Sequence, residues 1–374
     1  MALQVSLREL FGEAVKRNAS DVHISVGIPP VLRVDEKLYP LKHPPLDPAD
    51  VRDIITTLLT EEQLESYLTK KELDFSLHYP ISSDGMSVRL RGNCFFERGN
   101  MAMAFRVIPK TIRLIEHLIL PKQLHDVARR RQGLFLVTGP TGHGKSTTLA
   151  AIIQEINISR SCHIVTIEDP IEYLFHSDRS MIHQREIGID TTSFAEALKR
   201  VLRQDPDVIM IGEMRDLETV RAALTAAETG HLVLATLHTP DAPQSIDRIL
   251  DVFPPHQQDQ VKLQLANVLI GICSQQLLPL LGGGRMVATE LMWAVPAVRN
   301  CIRERKIPGL KSIIQTGLDQ GMHTMDQDLA RLIKEGKLPY ELAASYAFDI
   351  KDLDRMVFGE GTSAFAGEGV MGRR

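Results

Sequence analysis

Several features that narrow the class of a protein are scarce in this sequence of 374 residues. Cysteine occurs only at Cys94, Cys162, Cys273 and Cys301, never at C-x-x-C spacing. That pattern excludes a tetracysteine zinc module and favours free thiols in a reducing cytosol. No apolar run reaches the ~18 residues of a membrane-spanning helix, so we expect no membrane insertion. The first residues lack the apolar core of a signal peptide, so no secretory leader is expected.

A basic excess is missing as well. The sequence has 43 Lys and Arg against 47 Asp and Glu, a net charge of −4. This balance disfavours a protein that coats DNA, and no stretch interleaves aromatic and basic residues for binding a single strand. We therefore predict no nucleic-acid partner. The fractions of 44% hydrophobic and 24% charged residues suit ordinary packed cores, and the length predicts two or three domains.

The most informative motif is G-x-x-x-x-G-K-[ST], which begins at Gly139. It follows an apolar strand-like run and precedes a helical one, the context that a phosphate-binding loop requires. Backbone N–H groups and the helix N-terminus would hold phosphates, Lys145 would reach the β- and γ-phosphates, and the Ser146 hydroxyl would hold Mg²⁺. We call residues 139–147 the phosphate loop; its members are Gly139, Pro140, Thr141, Gly142, His143, Gly144, Lys145, Ser146 and Thr147.

Acidic residues follow two further strand-like runs. Ile-Val-Thr-Ile-Glu-Asp-Pro-Ile-Glu ends at Glu172, and Val-Ile-Met-Ile-Gly-Glu ends at Glu213. Ligands bind at the carboxyl ends of parallel strands, so both carboxylates are candidates for orienting Mg²⁺ or the attacking water. A helix cap is the alternative for a single acidic residue. Two such strand ends beside a phosphate loop favour catalysis.

Two histidines flank one strand-like run. His231 stands immediately before the run Leu-Val-Leu-Ala-Thr-Leu, and His238 stands immediately after it. His238 would sense the γ-phosphate by donating a hydrogen bond, and His231 is a second catalytic candidate. Structural histidines are the alternative interpretation for both.

The periodicity predicts two kinds of fold. Helices and antiparallel strands alternate up to Val107, and a hairpin over 86–107 has one apolar face while its other face carries Arg89, Arg91 and Arg106. Strands at 134–138, 163–168, 207–212, 232–237 and 286–292 alternate with helices, which predicts a mostly parallel sheet covered on both faces. Helices are predicted at 297–306, 310–316, 325–334 and 340–345. The resulting domains are 1–108, a linker 109–121, an α/β core 122–295, a helical region 296–356 and a disordered tail 357–374.

Together these motifs resemble the secretion ATPase superfamily, and within it the type IV pilus retraction ATPases, or PilT family. The resemblance rests on Gly-Pro-Thr-Gly-x-Gly-Lys-Ser-Thr-Thr, Thr-Ile-Glu-Asp-Pro-Ile-Glu, Gly-Glu-Met-Arg-Asp-Leu-Glu-Thr and Thr-Gly-His-Leu-Val…Thr-Leu-His-Thr. It also rests on Ala-Val-Arg-Asn-Cys-Ile-Arg-Glu, which is similar to the family's retraction signature. The similarity extends over about residues 5–356.

The resemblance implies an α/β, RecA-like P-loop ATPase with an N-terminal α+β PAS-like domain and a helical C-terminal region. It implies ATP and Mg²⁺ as cofactors and a homohexamer in the cytoplasm, peripheral at the inner-membrane base of the pilus. The ring would act on the inner-membrane platform protein, alone or with a paralogous retraction ATPase. Neighbouring subunits would contribute arginines to the phosphates, and the candidates are Arg89, Arg91, Arg98 and Arg106.

The resemblance also assigns roles by position. Glu172 would activate water and Glu213 would act on the Mg²⁺ side, although these roles can be exchanged. Arg299 and Arg303 fall on the retraction signature and share one helix face, which suits coupling to a partner. His143 stands where the family usually has Ser.

Four alternatives stay open at this stage. The chain could be an accessory retraction-type paralogue or another type II/IV secretion ATPase, although the latter usually carry the tetracysteine module that is missing here. A RecA-like nucleic-acid motor and a nucleotide-dependent scaffold without turnover belong to different classes.

Overall fold

The computed structural model describes residues 6–34, 37–82, 85–108, 111–280 and 284–359. The chain divides into two compact units, residues 1–111 with 172–174, and residues 112–171 with 175–374. Most of the tail that the sequence predicts to be disordered lies outside the described residues. Within the described ranges, no helix has both the length and the hydropathy to cross a membrane. The finer division into a core to residue 295 and a helical region beyond it stays a prediction.

The first unit is an antiparallel sheet with helices, as the sequence predicts. The strand order is β3-β2-β1-β6-β5-β4. The elements are α1 Leu7–Lys16, β1 Asp21–Ile24, β2 Val31–Val34, β3 Lys37–Pro40, α2 Pro48–Leu58, α3 Glu61–Lys70, β4 Glu72–Pro80, β5 Ser87–Glu97 and β6 Asn100–Ile108.

Local chemistry explains several boundaries of this unit. The Thr60 side chain accepts from the Gln63 backbone N–H, and the Gln63 side chain accepts from the Thr60 N–H, so a capping box begins α3. Between β5 and β6, Glu97 pairs with Asn100 across the predicted turn. The alternation is also as expected, because Val88 and Leu90 are buried and Arg89 is only half-buried.

The second unit is a seven-stranded sheet between layers of helices. Its order is β13-β12-β7-β11-β10-β8-β9, and every neighbouring pair is parallel except β12 with β13. The elements are α4 Leu124–Arg129, β7 Gly133–Thr138, α5 Lys145–Ser159, β8 His163–Glu168, β9 Met181–Glu186, α6 Phe194–Val201, β10 Val208–Ile211, α7 Leu217–Glu228, β11 Leu232–Leu237, α8 Ala242–Asp251, α9 Pro255–Val268, β12 Leu269–Pro279 and β13 Arg285–Trp293.

Up to residue 359, where the described part of the chain ends, five α-helices follow β13 in the same unit. They are α10 Pro296–Arg303, α11 Leu310–Thr316, α12 Met325–Lys334, α13 Tyr340–Tyr346 and α14 Ile350–Phe358. Residues from α12, α13 and α14 pack together with Leu278 of β12 and Met286 of β13. The sequence predicts the first four of these helices within a few residues, but it does not predict α14.

Side chains of the central strand β7 alternate between two cores. Leu134 and Leu136 pack on the side of helices α6 to α11, whereas Phe135 and Val137 pack on the side of α4 and α5. All of β7 is buried, as expected of a strand covered on both faces. The predicted α/β fold class is confirmed. Strands β9 and β12 were not predicted, and β12 lies directly beside β7.

Candidate active site

The phosphate loop follows β7 and leads into α5. Gly144 is the N-cap of α5 with φ of 82°, a left-handed conformation that glycine adopts without a steric penalty. The first turn of the helix therefore begins at Lys145. The Lys145 side chain is buried, and its Nζ donates to the carbonyl oxygens of Gly139 at 2.8 Å and Pro140 at 2.9 Å. This ammonium therefore lies inside the curve of the loop.

The order of the parallel strands brings the next functional groups beside this loop. Strand β11 is the neighbour of β7, and β10 is the neighbour of β11. His238 directly follows β11, and Glu213 follows β10 by two residues. Because ligands bind at the carboxyl ends of such strands, these side chains meet at the ligand-binding edge.

A hydrogen-bonded chain connects the three strand ends. The Thr141 hydroxyl lies 3.1 Å from His238 Nδ1, and His238 Nε2 lies 2.9 Å from Glu213 Oε1. Arg215 places a guanidinium nitrogen 2.7 Å from Glu213 Oε2. Lys145 Nζ is 3.5 Å from His238 Nδ1. A carboxylate accepts, so His238 donates from Nε2, and Nδ1 of a neutral ring accepts from Thr141.

The pKa of Glu213 lies below its ordinary value. Burial raises the pKa, but hydrogen bonds from Arg215 and His238 and the positive charges of both groups lower it by more. Backbone contacts fix the position of this carboxylate, because Gly212 N donates to Ile167 O and Met214 N donates to Thr236 O. Glu213 is thus an ionised, half-buried carboxylate held at the edge of the sheet.

Strand β12 supports the loop from its other side. Gln275 is 1% exposed, and its side-chain amide bonds both the loop and α5. Thr138 donates from its hydroxyl to that of Ser274 at 2.8 Å, which joins the end of β7 to the middle of β12. Sequence reasoning missed Gln275, Ser274 and Arg215. Gln275 and Ser274 belong to the unpredicted strand, and Arg215 lies two residues after Glu213, which is a signal that was available.

A family model described as type II/IV secretion system protein matches residues 2–305. The type IV pilus retraction ATPase PilT of Pseudomonas aeruginosa is 43% identical over 343 residues, 92% of this chain and 98% of that protein. The chain belongs to the type IV pilus retraction ATPases of the secretion family. The resemblance inferred from the motifs is confirmed, and with it the assignment as an ATP hydrolase of pilus retraction.

Two further comparisons support this membership. A crystal structure of the pilus retraction motor PilT with bound ADP superposes on this retraction ATPase with a TM-score of 0.86 and 45% identity. The match covers 94% of this chain and 99% of that one. The type IV pilus ATPase PilU of P. aeruginosa is 39% identical over 92% of this chain and 89% of that protein. Because the match to PilU is of similar extent, the chain could still be an accessory retraction-type paralogue.

The predicted site residues do not all come together in this retraction ATPase. The phosphate loop, Glu213 and His238 converge within the second unit. His231 does not join them, because it precedes β11 while His238 follows it. A strand of this length spans ~20 Å. The His231 ring instead contacts Ala226 O at 2.9 Å and the Thr229 hydroxyl at 3.2 Å. The second unit therefore gives no support to a catalytic His231.

The remaining catalytic and phosphate-contact candidates lie in the first unit. Glu172 belongs to the short segment that groups with that unit, so its catalytic role stays a prediction. The hairpin arginines also belong there, and Arg106 pairs with Asp21 at 3.2 Å. Arg98 occupies the hairpin turn with φ of 49°. The predicted phosphate contacts of Arg89, Arg91, Arg98 and Arg106 likewise stay predictions.

The two arginines of the retraction signature differ in their surroundings. Arg299 donates from one guanidinium nitrogen to the carbonyls of Ala266 and Asn267 and from the other to Leu269, and these carbonyls lie at the end of α9. Arg303 is half-buried one turn later. The guanidinium of Arg299 thus caps a helix of its own unit, and partner coupling stays a prediction for both.

Proposed function

We propose that the phosphate loop and Glu213 hydrolyse ATP to drive pilus retraction, with the phosphates held by Lys145 and the loop amides. The observation that carries this proposal is the chain from Thr141 through His238 to Glu213, which joins the loop to an ionised carboxylate. Such a chain lets the state of the loop influence the carboxylate. His238 would detect the γ-phosphate, and loss of that phosphate on hydrolysis would release the constraint on the orientation of Glu213.

Ser146 and Glu213 would hold Mg²⁺ in this proposal. Both offer oxygen donors, which Mg²⁺ prefers, and the lowered pKa keeps Glu213 charged at neutral pH. When bound, Mg²⁺ neutralises charge that develops on the phosphates. Glu213 also hydrogen-bonds His238 and Arg215 in the structure, so these two side chains fix its orientation.

The finer features of the assembly are part of the same proposal. The active form would be a homohexamer in which Arg89, Arg91, Arg98 and Arg106 serve as candidates for neutralising phosphate charge across subunits, and Glu172 would activate the water. One such arginine contributes a factor of about a thousand or more to turnover in related phosphoryl-transfer enzymes. The ring would act from the cytoplasmic side on the inner-membrane platform protein of the pilus.

Steady-state phosphate release from the full chain tests the enzymatic part. We expect Lys145→Ala and Glu213→Gln to lower the rate by at least about a hundredfold, because each removes a charge from the reacting phosphates or the metal. Exposed Lys351→Ala serves as the matched control for loss of a lysine. Normal hydrolysis by either active-site variant would contradict the proposal.

Deletion of the gene tests the direction of the motor. Cells that accumulate surface pili and stop twitching would support retraction, whereas bald cells would contradict it. The accessory alternative rests on the likeness to PilU. Expression of this chain in cells that lack every other retraction ATPase distinguishes the two, since an accessory protein would not restore twitching by itself.

A further inference from the structure

We infer that Gln275 is a positioning residue that sets the phosphate loop in its nucleotide-binding conformation. The inference rests on the proposed function, because it assumes that this loop takes the nucleotide. Gln275 lies on β12, one residue beyond the last residue that pairs with β7. Its side-chain nitrogen donates a hydrogen bond to the loop, and its side-chain oxygen accepts one from the first turn of α5.

The first contact holds one peptide unit of the loop. Gln275 Nε2 donates to the carbonyl oxygen of His143 at 2.6 Å. In a trans peptide the carbonyl and the next N–H point in opposite directions. A carbonyl of His143 that is fixed against β12 therefore directs the N–H of Gly144 to the other side of the loop. Loops of this type bind phosphate through N–H groups that converge on that side.

The second contact ties the same amide to the helix. Gln275 Oε1 accepts from the Thr148 hydroxyl at 2.8 Å, and Thr148 lies in the first turn of α5. Both ends of one buried amide are thus satisfied, one by the loop and one by the helix. Removal of that amide would leave the His143 carbonyl and the Thr148 hydroxyl to find new partners, and Thr148 is itself buried.

Two backbone groups of β12 also help to hold the phosphate loop in place. A Cβ on Gly139 would collide with the backbone carbonyl of Gln275, so the loop begins in close contact with this strand. The backbone N–H of Leu277 donates to His143 Nδ1 at 3.2 Å. His143 is therefore held by β12 through its backbone and through its side chain. The strand constrains the loop at its start and just before Lys145.

Nucleotide affinity measured separately from turnover tests this inference. We expect Gln275→Leu to weaken ADP binding, measured calorimetrically, by about tenfold, the equivalent of one lost hydrogen bond. KM for ATP should rise by a similar factor, while kcat at saturating ATP should stay within about threefold, because the bound nucleotide restores the loop. An unchanged ADP affinity in a folded Gln275→Leu protein would overturn the inference.

Gln275→Glu separates the two contacts of the amide. A carboxylate can still accept from Thr148, but it cannot donate to the His143 carbonyl and it adds negative charge beside the phosphates. We expect ADP to bind at least as weakly as to Gln275→Leu. Affinity equal to that of the parent would overturn the assigned contact. This variant decides the question if the leucine protein does not fold.

Gln276→Leu is the matched control, since it changes the next residue of the same strand and Gln276 is also buried. We expect it to leave ADP affinity within about twofold of the parent, because successive side chains of a strand point to opposite faces, so Gln276 lies on the face opposite Gln275. Equal weakening by both variants would assign the effect to general damage of β12 and overturn the inference. Failure of the unmodified chain to bind ADP would instead refute the proposed function.

Discussion

His238 stands between the phosphate loop and Glu213, with Nδ1 3.1 Å from the Thr141 hydroxyl and Nε2 2.9 Å from a carboxylate oxygen. The ring is 40% exposed, so it is accessible to a ligand at the edge of the sheet. A γ-phosphate oxygen that accepts the Nε2 proton in place of Glu213 would alter the hydrogen bond that orients this carboxylate. In the proposed mechanism the imidazole would therefore connect nucleotide state to the orientation of the carboxylate.

Replacement of His238 by alanine should separate binding from hydrolysis. We expect His238→Ala to bind ADP within about twofold of the parent, because Lys145 and the loop amides remain. Its kcat should fall by about a hundredfold, a loss typical of removing one donor from an active site. Calorimetry and phosphate release measure the two effects. His256→Ala, an exposed histidine on α9, is the control, and a parent-like kcat for His238→Ala would contradict the role.

The pH dependence of nucleotide affinity should report the state of His143. Burial and then the charge of Lys145 lower the pKa of His143 below 6.5. The neutral ring is therefore favoured in the folded protein. Its hydrogen bond from Leu277 N–H is fully present above pH 6.5 and is lost as the pH falls through the lowered pKa, because the protonated Nδ1 becomes a donor.

The test compares the parent with His143→Ser, whose side chain does not titrate in this range. The ratio of their ADP dissociation constants cancels the titration of the phosphates and of groups common to both proteins. We expect the parent to lose more affinity than the variant as the pH falls below 6.5 through the lowered pKa of His143, up to about threefold, the equivalent of one modest hydrogen bond. A ratio that does not change with pH would contradict the prediction.

The sequence predicts this site well where functional groups follow recognisable strand ends. Glu213 comes two residues after one apolar strand and His238 comes directly after the next, and the parallel order of those strands determines that they meet. Sequence reasoning failed at Gln275 because α9 ends at Val268 and β12 begins at Leu269, with no glycine or proline between them. The carbonyls at the end of α9 are capped instead by Arg299, about 30 residues later in the chain. Local propensity cannot reveal a helix end that depends on a distant side chain.

Strand β9 was missed for a different physical reason. It forms the edge of the sheet, and its residues Met181–Glu186 are mostly polar and partly exposed. An edge strand needs no continuous apolar run, so the signal that identified the buried strands is missing. The segment is placed by its parallel pairing with β8. The fold class was predictable because the buried strands alone determine it.

The two arginines of the retraction signature should respond differently to substitution. Arg299 donates to three carbonyls at the end of α9. We expect Arg299→Ala to lower the free energy of unfolding by ~2 kcal/mol, because a charged donor is lost and carbonyls are left without it. Arg299→Lys should restore only part of this, since a lysine lacks the forked guanidinium. Denaturant unfolding measures both variants.

Arg303→Ala is the matched comparison on the same helix. We expect its free energy of unfolding to remain within about 0.5 kcal/mol of the parent. If Arg303 couples to a partner, this variant will hydrolyse ATP normally and fail to restore twitching. Equal destabilisation by Arg299→Ala and Arg303→Ala would contradict the capping role of Arg299.

A buried carboxyl in β13 should make stability depend on pH. Glu290 is 4% exposed and accepts the Ala242 backbone N–H at 2.9 Å. Burial raises its pKa to about 7. The folded protein therefore holds this proton more tightly than the unfolded chain, whose ordinary value is 4.5. The stabilisation that the folded protein gains from binding this proton is fully present below pH 4.5, and it is lost as the pH rises through about 7.

Glu290→Gln removes the titration while its amide oxygen can still accept from Ala242. Any packing cost of the extra N–H groups is the same at every pH. The diagnostic quantity is therefore the slope of the free energy of unfolding against pH. We expect the stability of the variant relative to the parent to rise by roughly 2–3 kcal/mol between pH 5 and pH 8. Thermal or denaturant unfolding across this range measures the change, and exposed Glu341→Gln should leave the slope of the parent unaltered. A difference between Glu290→Gln and the parent that stays constant with pH would show that Glu290 titrates alike in the folded and unfolded chain.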